Sequence, residues 1–353
     1  MPALAVHVLR HESLPRRAKA CLAWYKRRMA KLRFAALFAL AFGFLHAQDT
    51  QVVTLPAPPP GQAGQSAAQA VASARATRVV GLLWKATSAT TTVYLAGSLH
   101  FGSQDMYPLP DEMEAAFERS SILVVELDPS AVTSAMAGAL MSTGMYPPSD
   151  SLWNHVSERT RSLLPGFAAE RGLNAEMLAR FKPWAASLVL SAKMLESAGM
   201  RTELGIDVHF LDQARGSKRI EELETAEEQI QAFSGVPERE LARSIEKAVT
   251  DPGHTDHVLH TMRTAWLNGD AAGIEGILTE DARESPETQK RLIDDRNVRM
   301  AAAAERYLHG SEPCFVVVGA GHLVGKGGVV SRLAAKGFSV KQVKPAAPAP
   351  AAK

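Results

Sequence analysis

Two stretches near opposite ends of the chain finish an apolar run in the same way. Val93–Gly102 reads VYLAGSLHFG and Cys314–Gly325 reads CFVVVGAGHLVG, so Gly97 is followed at three residues by His100, and Gly319 by His322. An apolar run of this length predicts a buried strand, and glycine permits the backbone to turn without a Cβ clash as the strand ends. Imidazole at such an exit can carry a proton near neutral pH or bind a metal. In open α/β sheets ligands gather outside the carboxyl ends of the strands, so two parallel neighbouring strands would bring His100 and His322 together. Either motif alone reads equally well as a turn histidine bonded to backbone. The pair is what points to a site.

Acidic residues add to it. In VVELDP, Glu126 and Asp128 stand two apart at the end of a predicted strand and so share a face. An acid emerging from an apolar run is unfavourable unless it is paired, bound to a cation or solvated; Glu126 is therefore a candidate, whereas Asp128, just before Pro129, reads equally as a cap of the next helix. RIEELET offers Glu221, Glu222 and Glu224, of which Glu224 falls at the strand exit. DDRNVRM, with Arg296 and Asn297, lies on a predicted helix and by itself reads as a solvated charged face. HTDHVLH places His257 and His260 three apart on a helix, with His254 in the preceding turn, which is a weak pattern for metal. The nucleophile elbow, the zinc helix, the phosphate loop and the dinucleotide fingerprint are all absent from the sequence.

The elements that must position these residues follow from pattern. VVGLLWKA and TTVYLAG flank the polar break TSAT and predict a hairpin. LPDEMEAAFERS and SILVVEL continue with a helix and a strand, and CFVVVG, GGVVSRLAAKG and FSVKQV close the chain with strand, helix and strand. PETQKRLIDDRNVRMAAAAERYLHG predicts one long helix. Between the two groups, 129–310 is mostly helical, with a short strand in RIEELET. The fold class is thus α+β (mixed α/β): a central sheet built from both ends of the chain, a large helical insertion, and helix outweighing strand.

The chain has 353 residues, 46% hydrophobic and 22% charged, with Lys+Arg 39 against Asp+Glu 37. This composition supports a sizeable core, and the near balance of charge argues against a nucleic-acid partner. Residues 1–47 read as an N-terminal extension and signal peptide: a basic cluster, YKRRMAKLR, precedes an apolar run from Phe34 to Leu45 that is short for a membrane span. Left uncleaved it would be an anchor, and Met29 would make a more ordinary start. Residues 48–77, rich in Pro, Gly, Gln, Ser and Ala, read as a disordered linker, and 344–353 as a disordered tail. The folded body is expected at 78–343. Cys21 falls within the targeting region, which leaves Cys314 without a disulfide partner in the exported protein, packed as a small apolar residue.

The ordered set LAGSLHFG, VVELDP, KPWAASL, GIDVHFLDQARGSKRIEELETAEEQ, AWLNGD, DDRN and VVVGAGHLVG resembles the TraB/GumN family, which includes the animal TIKI proteins. Ser98 stands where many members have Thr. The resemblance implies a fold related to the erythromycin-esterase and ChaN-like group and a metal-dependent peptidase activity. It marks His100, Glu126, Glu224, Arg296 and His322. On that reading His100, Glu126 and His322 bind a divalent metal ion (Mn, Co or Zn), and Glu224 and Arg296 take catalytic roles, with Asn297 and Asp128 in support. The substrate would be a peptide or protein met in the periplasm or cell envelope. A metal-independent His/Glu hydrolase and a non-catalytic peptide-binding protein are the alternatives.

Overall fold

The runs LLWKAT and TVYLAGS form strands β1 (Leu82–Thr87) and β2 (Thr92–Ser98), an antiparallel hairpin with Leu82 opposite Gly97 and Thr87 opposite Thr92. Its turn is closed by Ser88, whose backbone N–H donates to the Thr91 carbonyl and whose hydroxyl accepts from the Thr91 N–H at 3.1 Å. The structure, a computed structural model, describes residues 79–128 and 137–344. The proposed signal segment and linker and nearly all of the tail lie outside the described residues.

Four more strands complete one sheet: β3 (Ile122–Val125), β4 (Arg219–Glu222), β5 (Cys314–Gly319) and β6 (Ser339–Gln342). Their order is β4-β3-β5-β2-β1-β6. The four strands β4, β3, β5 and β2 are mutually parallel, and β1 is antiparallel to both β2 and β6. The sheet is therefore built from both ends of the chain, with β5 inserted between β2 and β3. Strands β3 and β5 are buried along their whole length, which explains their unbroken apolar sequence: a parallel strand covered on both faces has no polar side. The register sets Ser98 beside Gly319, and Val125 beside both Val317 and Glu222. The carboxyl ends of the four parallel strands are thus nearly level.

Helices cover the sheet and make up the insertion. Helix α1 (Asp111–Glu118) joins β2 to β3. The insertion contains α2 (Glu158–Glu170), the largely buried α3 (Pro183–Ser197) and α4 (Ile206–Ala214) before β4. After β4 come α5 (Ala226–Ser234), α6 (Glu238–Thr250), α7 (Pro252–Leu267) and α8 (Ala271–Glu284). Their starts follow local chemistry. Thr225 and Glu228 form a reciprocal capping box for α5. Asp251 caps α7 by accepting from the His254 N–H at 3.1 Å, so His254 lies inside the helix and not in a preceding turn. Phe117, Phe210 and Phe315 stack between α1, α4 and β5 with ring centroids 4.6–5.6 Å apart. No helix among the described residues is long and apolar enough to cross a membrane.

The single long helix expected from PETQKRLIDDRN onward is divided. A short turn, Pro286–Gln289, runs into a π-helical turn, Lys290–Asp294, and then α9 (Asp295–Leu308). The Asp295 N–H reaches back five residues to the Lys290 carbonyl, widening the helix by one residue as π-turns do. Helix α10 (Val329–Ala335) leads to β6.

The first Gly-x-x-His glycine is needed for close approach and not for an unusual turn. Gly97 lies within β2 and is not among the residues with positive φ; a Cβ there would meet Leu82 Cβ at 3.1 Å and Ala320 Cα at 3.2 Å. Gly97→Ala is expected to destabilise the protein by about 1–3 kcal/mol through overpacking, read as a lower urea midpoint; an unchanged midpoint would refute the packing argument. Cys314 is buried at the start of β5, and burial pushes its thiol up to about 11. Peptide mapping after iodoacetamide treatment at pH 8 should find Cys314 unmodified in the folded protein and alkylated in urea.

Candidate active site

Two residues beyond Ser98 the chain leaves β2 and turns at His100. That turn is fastened by the segment before α4: Gly102 and Arg201 exchange backbone hydrogen bonds of 2.9 and 2.7 Å, and the Ile206 N–H donates to the Leu99 carbonyl at 3.3 Å. Gly205 lies so close that a Cβ would come within 2.6 Å of the His100 carbonyl oxygen, which is why this position has no side chain. On the neighbouring strand, β5 ends at Gly319 and passes into the helical turn Ala320–Leu323, which carries His322. Both imidazoles are buried, His322 completely. Their Nε2 atoms face one carboxylate oxygen: Glu126 Oε1 is 3.9 Å from His100 and 3.7 Å from His322. The two parallel neighbouring strands therefore bring the histidines together, as the paired motifs imply.

Each ring is held from behind at Nδ1. The Asn297 amide donates from Nδ2 to the Gly327 carbonyl at 3.1 Å, which leaves its Oδ1 to accept from His322 Nδ1 at 2.7 Å. That bond assigns the proton to Nδ1 and leaves a lone pair on Nε2. Burial, reinforced by Arg296, pushes the His322 pKa well down, so the ring is neutral. His100 Nδ1 lies 3.1 Å from Asp207 Oδ2, an ion-pair approach off the line of the ring N–H. Ser98 fixes Asp207 by donating to Oδ1 at 2.7 Å. Burial lowers the His100 pKa, but the charges of Asp207 and Glu126 outweigh it and leave it raised. For Asp207, burial acts upward and His100 with Ser98 acts downward, with a net lowering.

The third component is a buried ionic cluster. Glu126 Oε1 accepts from the Gly319 N–H at 2.6 Å and Oε2 from Arg296 Nη2 at 2.6 Å. Arg296, 1% exposed, also donates from Nε to both oxygens of Glu224 at 2.9 Å and from Nη1 to the Leu292 carbonyl at 3.1 Å. Arg299 Nη2 meets Glu224 Oε1 at 2.9 Å from the half-exposed side. Burial raises the carboxyl pKa of Glu126 despite Arg296. At Glu224 the two arginines outweigh burial and lower it. The acid that faces the histidines is thus Glu126; Glu224 holds the arginine.

Asp128 stands apart from this cluster. Strand β3 stops at Val125, so the two-residue alternation does not extend through Glu126 to Asp128. The Asp128 carboxylate meets Arg215 at 3.2 Å and its N–H donates to Glu222. DDRNVRM is only half a solvated face: Asp294 and Asp295 are exposed, and Arg296 and Asn297 are buried. The sequence carried the signal. Leu292, Ile293, Met300 and Ala301 place Arg296 and Asn297 on the apolar stripe of the helix. Asp207, which the sequence reading missed, lies in the same way between Ile206 and Phe210 on the buried side of α4.

The donor types fit a divalent cation: two imidazoles whose Nε2 atoms lack a partner, His322 hydrogen-bonded at Nδ1 and His100 with Asp207 beside its Nδ1, and a carboxylate oxygen facing both. Ligands sit about 2.0–2.2 Å from such an ion, and the present separations are wider than a closed shell. Among the described residues no group of three or more His, Cys, Asp or Glu is close enough to enclose a metal ion. The histidines of HTDHVLH do not join the cluster. A cavity of about 10 Å³ lies between His100, Glu126, Asp207 and Gln229, roughly the space one water needs. Gln229, also missed from sequence, turns an unpartnered Oε1 into the buried region.

Removing one partner of a buried ion pair leaves the other uncompensated. Arg296→Ala should therefore lower unfolding free energy by about 3–5 kcal/mol, whereas Arg299→Ala, at a partly exposed pair, should cost less than about 1 kcal/mol. Urea denaturation of both variants checks this, and equal losses would contradict the assigned hierarchy.

Comparison with known proteins places this geometry. The family model described as the TraB/PrgY/gumN family matches residues 82–342. The uncharacterized protein YbaP of Escherichia coli (strain K12) is 28% identical over 246 residues, covering 68% of this chain and 87% of YbaP. YbaP of Shigella flexneri matches to the same extent. No solved structure matches the chain. The family match spans β1 through β6, including both Gly-x-x-His strands and the buried cluster: the chain belongs to the TraB/PrgY/gumN family.

Proposed function

We propose that the protein is a hydrolase of the cell envelope, a peptidase, that works with a divalent metal ion (Mn, Co or Zn) held by His100, His322 and Glu126. One observation carries this reading: two buried imidazole nitrogens without partners face the same carboxylate oxygen. The basic flank and apolar run at 26–45 support export.

A bound metal of this kind lowers the pKa of water towards neutrality and polarises a scissile carbonyl. The remaining work falls to the chain. His322 is kept as the neutral Nδ1–H tautomer by Asn297 and presents its Nε2 lone pair. Asp207, fixed by Ser98, stands behind His100 at Nδ1, and His100 turns its Nε2 towards the carboxylate that also faces His322. Arg296 directs its donors to Glu126, Glu224 and Leu292, so its role here is to position Glu126 in place of gripping substrate. The small cavity between His100, Glu126, Asp207 and Gln229 admits about one water.

The His100–Asp207 contact also favours a second reading, in which His100, oriented by Asp207, is the base that activates water without a metal. Elemental analysis of the purified protein beside His100→Ala and His322→Ala distinguishes the two. Near-stoichiometric Mn, Co or Zn, lost in both variants, is the expected result. Absence of metal after growth and purification in supplemented media, with peptide hydrolysis that survives chelation but not Asp207→Asn, would establish the second reading in place of the first.

A further inference from the structure

A second cavity, of about 240 Å³, lies within the helical insertion and shares no lining residue with the histidine site. Its walls are mostly apolar, with Met194 and Leu195 from α3, Val258, Leu259 and Met262 from α7 and Leu278 from α8, interspersed with hydroxyls such as Ser244 and Thr255. Its floor is Leu292 and Ile293, the π-helical turn that precedes Arg296. At about 30 Å³ for each water in the liquid, the volume corresponds to roughly eight waters. Apolar walls of this kind offer those waters few hydrogen bonds, so an apolar body of similar size displaces them favourably.

The lining also carries charge, in an uneven arrangement. Lys247 is taken up by Glu284, with hydrogen bonds of 2.7 and 3.0 Å to its two oxygens. Asp281 is beside them on α8, exposed at the open side of the cavity, with Lys247 and Glu284 as its charged neighbours and no hydrogen bond or close ion pair to its carboxylate among the described residues. His254 is the remaining titratable group at the cavity. A pocket with largely apolar walls and a net negative rim, Asp281 and Glu284 against Lys247, favours a ligand of complementary form, apolar along its length and cationic at one end.

We propose that this cavity is a binding site for a small amphipathic cation, an aromatic or alkyl body of about eight heavy atoms ending in an ammonium or guanidinium group that pairs with Asp281. The site is separate from the proposed hydrolytic centre, and its test does not depend on any activity. Three nearly isosteric probes, phenethylamine, 2-phenylethanol and 3-phenylpropanoate, are titrated calorimetrically into the folded protein at neutral pH. Phenethylamine should bind several-fold more tightly than the alcohol, as an ion pair at an exposed carboxylate allows, and the carboxylate should bind weakest. Asp281→Asn should abolish the preference for amine over alcohol. Leu259→Trp, which fills the cavity, should abolish binding of all three while the circular dichroism spectrum stays native. No binding of phenethylamine, equal binding of the three probes, an amine preference that survives Asp281→Asn, or binding unaffected by Leu259→Trp would each overturn the proposal. Should Asp281→Asn fail to fold, the probe ranking and the Leu259→Trp variant decide the question.

Discussion

The guanidinium of Arg296, buried between Glu126 and Glu224, is the interaction on which the site depends. Removing three charges from water is costly, and the loss is offset only when every donor and acceptor finds good geometry. Here the partners come from different parts of the chain. Glu126 follows β3, Glu224 follows β4, and Arg296 begins α9 just after the π-helical turn. The second oxygen of Glu126 accepts from Gly319 at the end of β5. One ionic cluster thereby ties three of the four parallel strand ends to a single helix, and the cluster presents Glu126 to the histidines from a fixed direction.

The histidines are held by independent supports. Asp207 on α4 stands behind His100, and Asn297 on α9 stands behind His322. Asn297 hydrogen-bonds His322 Nδ1 and Asp207 lies beside His100 Nδ1, and both Nε2 atoms face Glu126. A buried polar network in which most members are satisfied gains rigidity from its neighbours and concentrates its unsatisfied capacity at a few atoms. In this protein that capacity gathers at His100, His322 and Gln229, around a cavity of about 10 Å³. The supporting residues Arg296 and Asn297 are adjacent on α9, so the ionic cluster and the second imidazole share one rigid element. The π-helical turn that begins this element also forms the floor of the larger apolar cavity.

Much of the fold was legible because it rests on local pattern. The apolar runs at 82–87, 92–98, 122–125 and 314–319 appear as strands, and the helical middle follows from its period. Boundaries were less legible: the strand before Glu126 stops one residue short of it, and the helix after Pro286 contains a widened turn. The two histidines and Glu126 could be read as candidates because each emerges from an apolar run. Arg296 and Asn297 were hidden in a charged string that looks solvated when read residue by residue. They become visible when the phase of Leu292, Ile293, Met300 and Ala301 is followed, and the same reading finds Asp207 beside Ile206 and Phe210.

The sequence by itself determined the element types, the α+β class and the presence of a histidine at the exit of two strands, because periodicity and strand-end chemistry act over a few residues. Tertiary structure alone decided that β5 inserts beside β2, that Glu126 meets Arg296 across 170 residues, and that Asp207 and not Glu126 stands behind His100. These pairings depend on which strand ends are neighbours and which helix face meets the sheet. Neither is specified by any local stretch, because contacts between distant segments arise from the packing of the whole core.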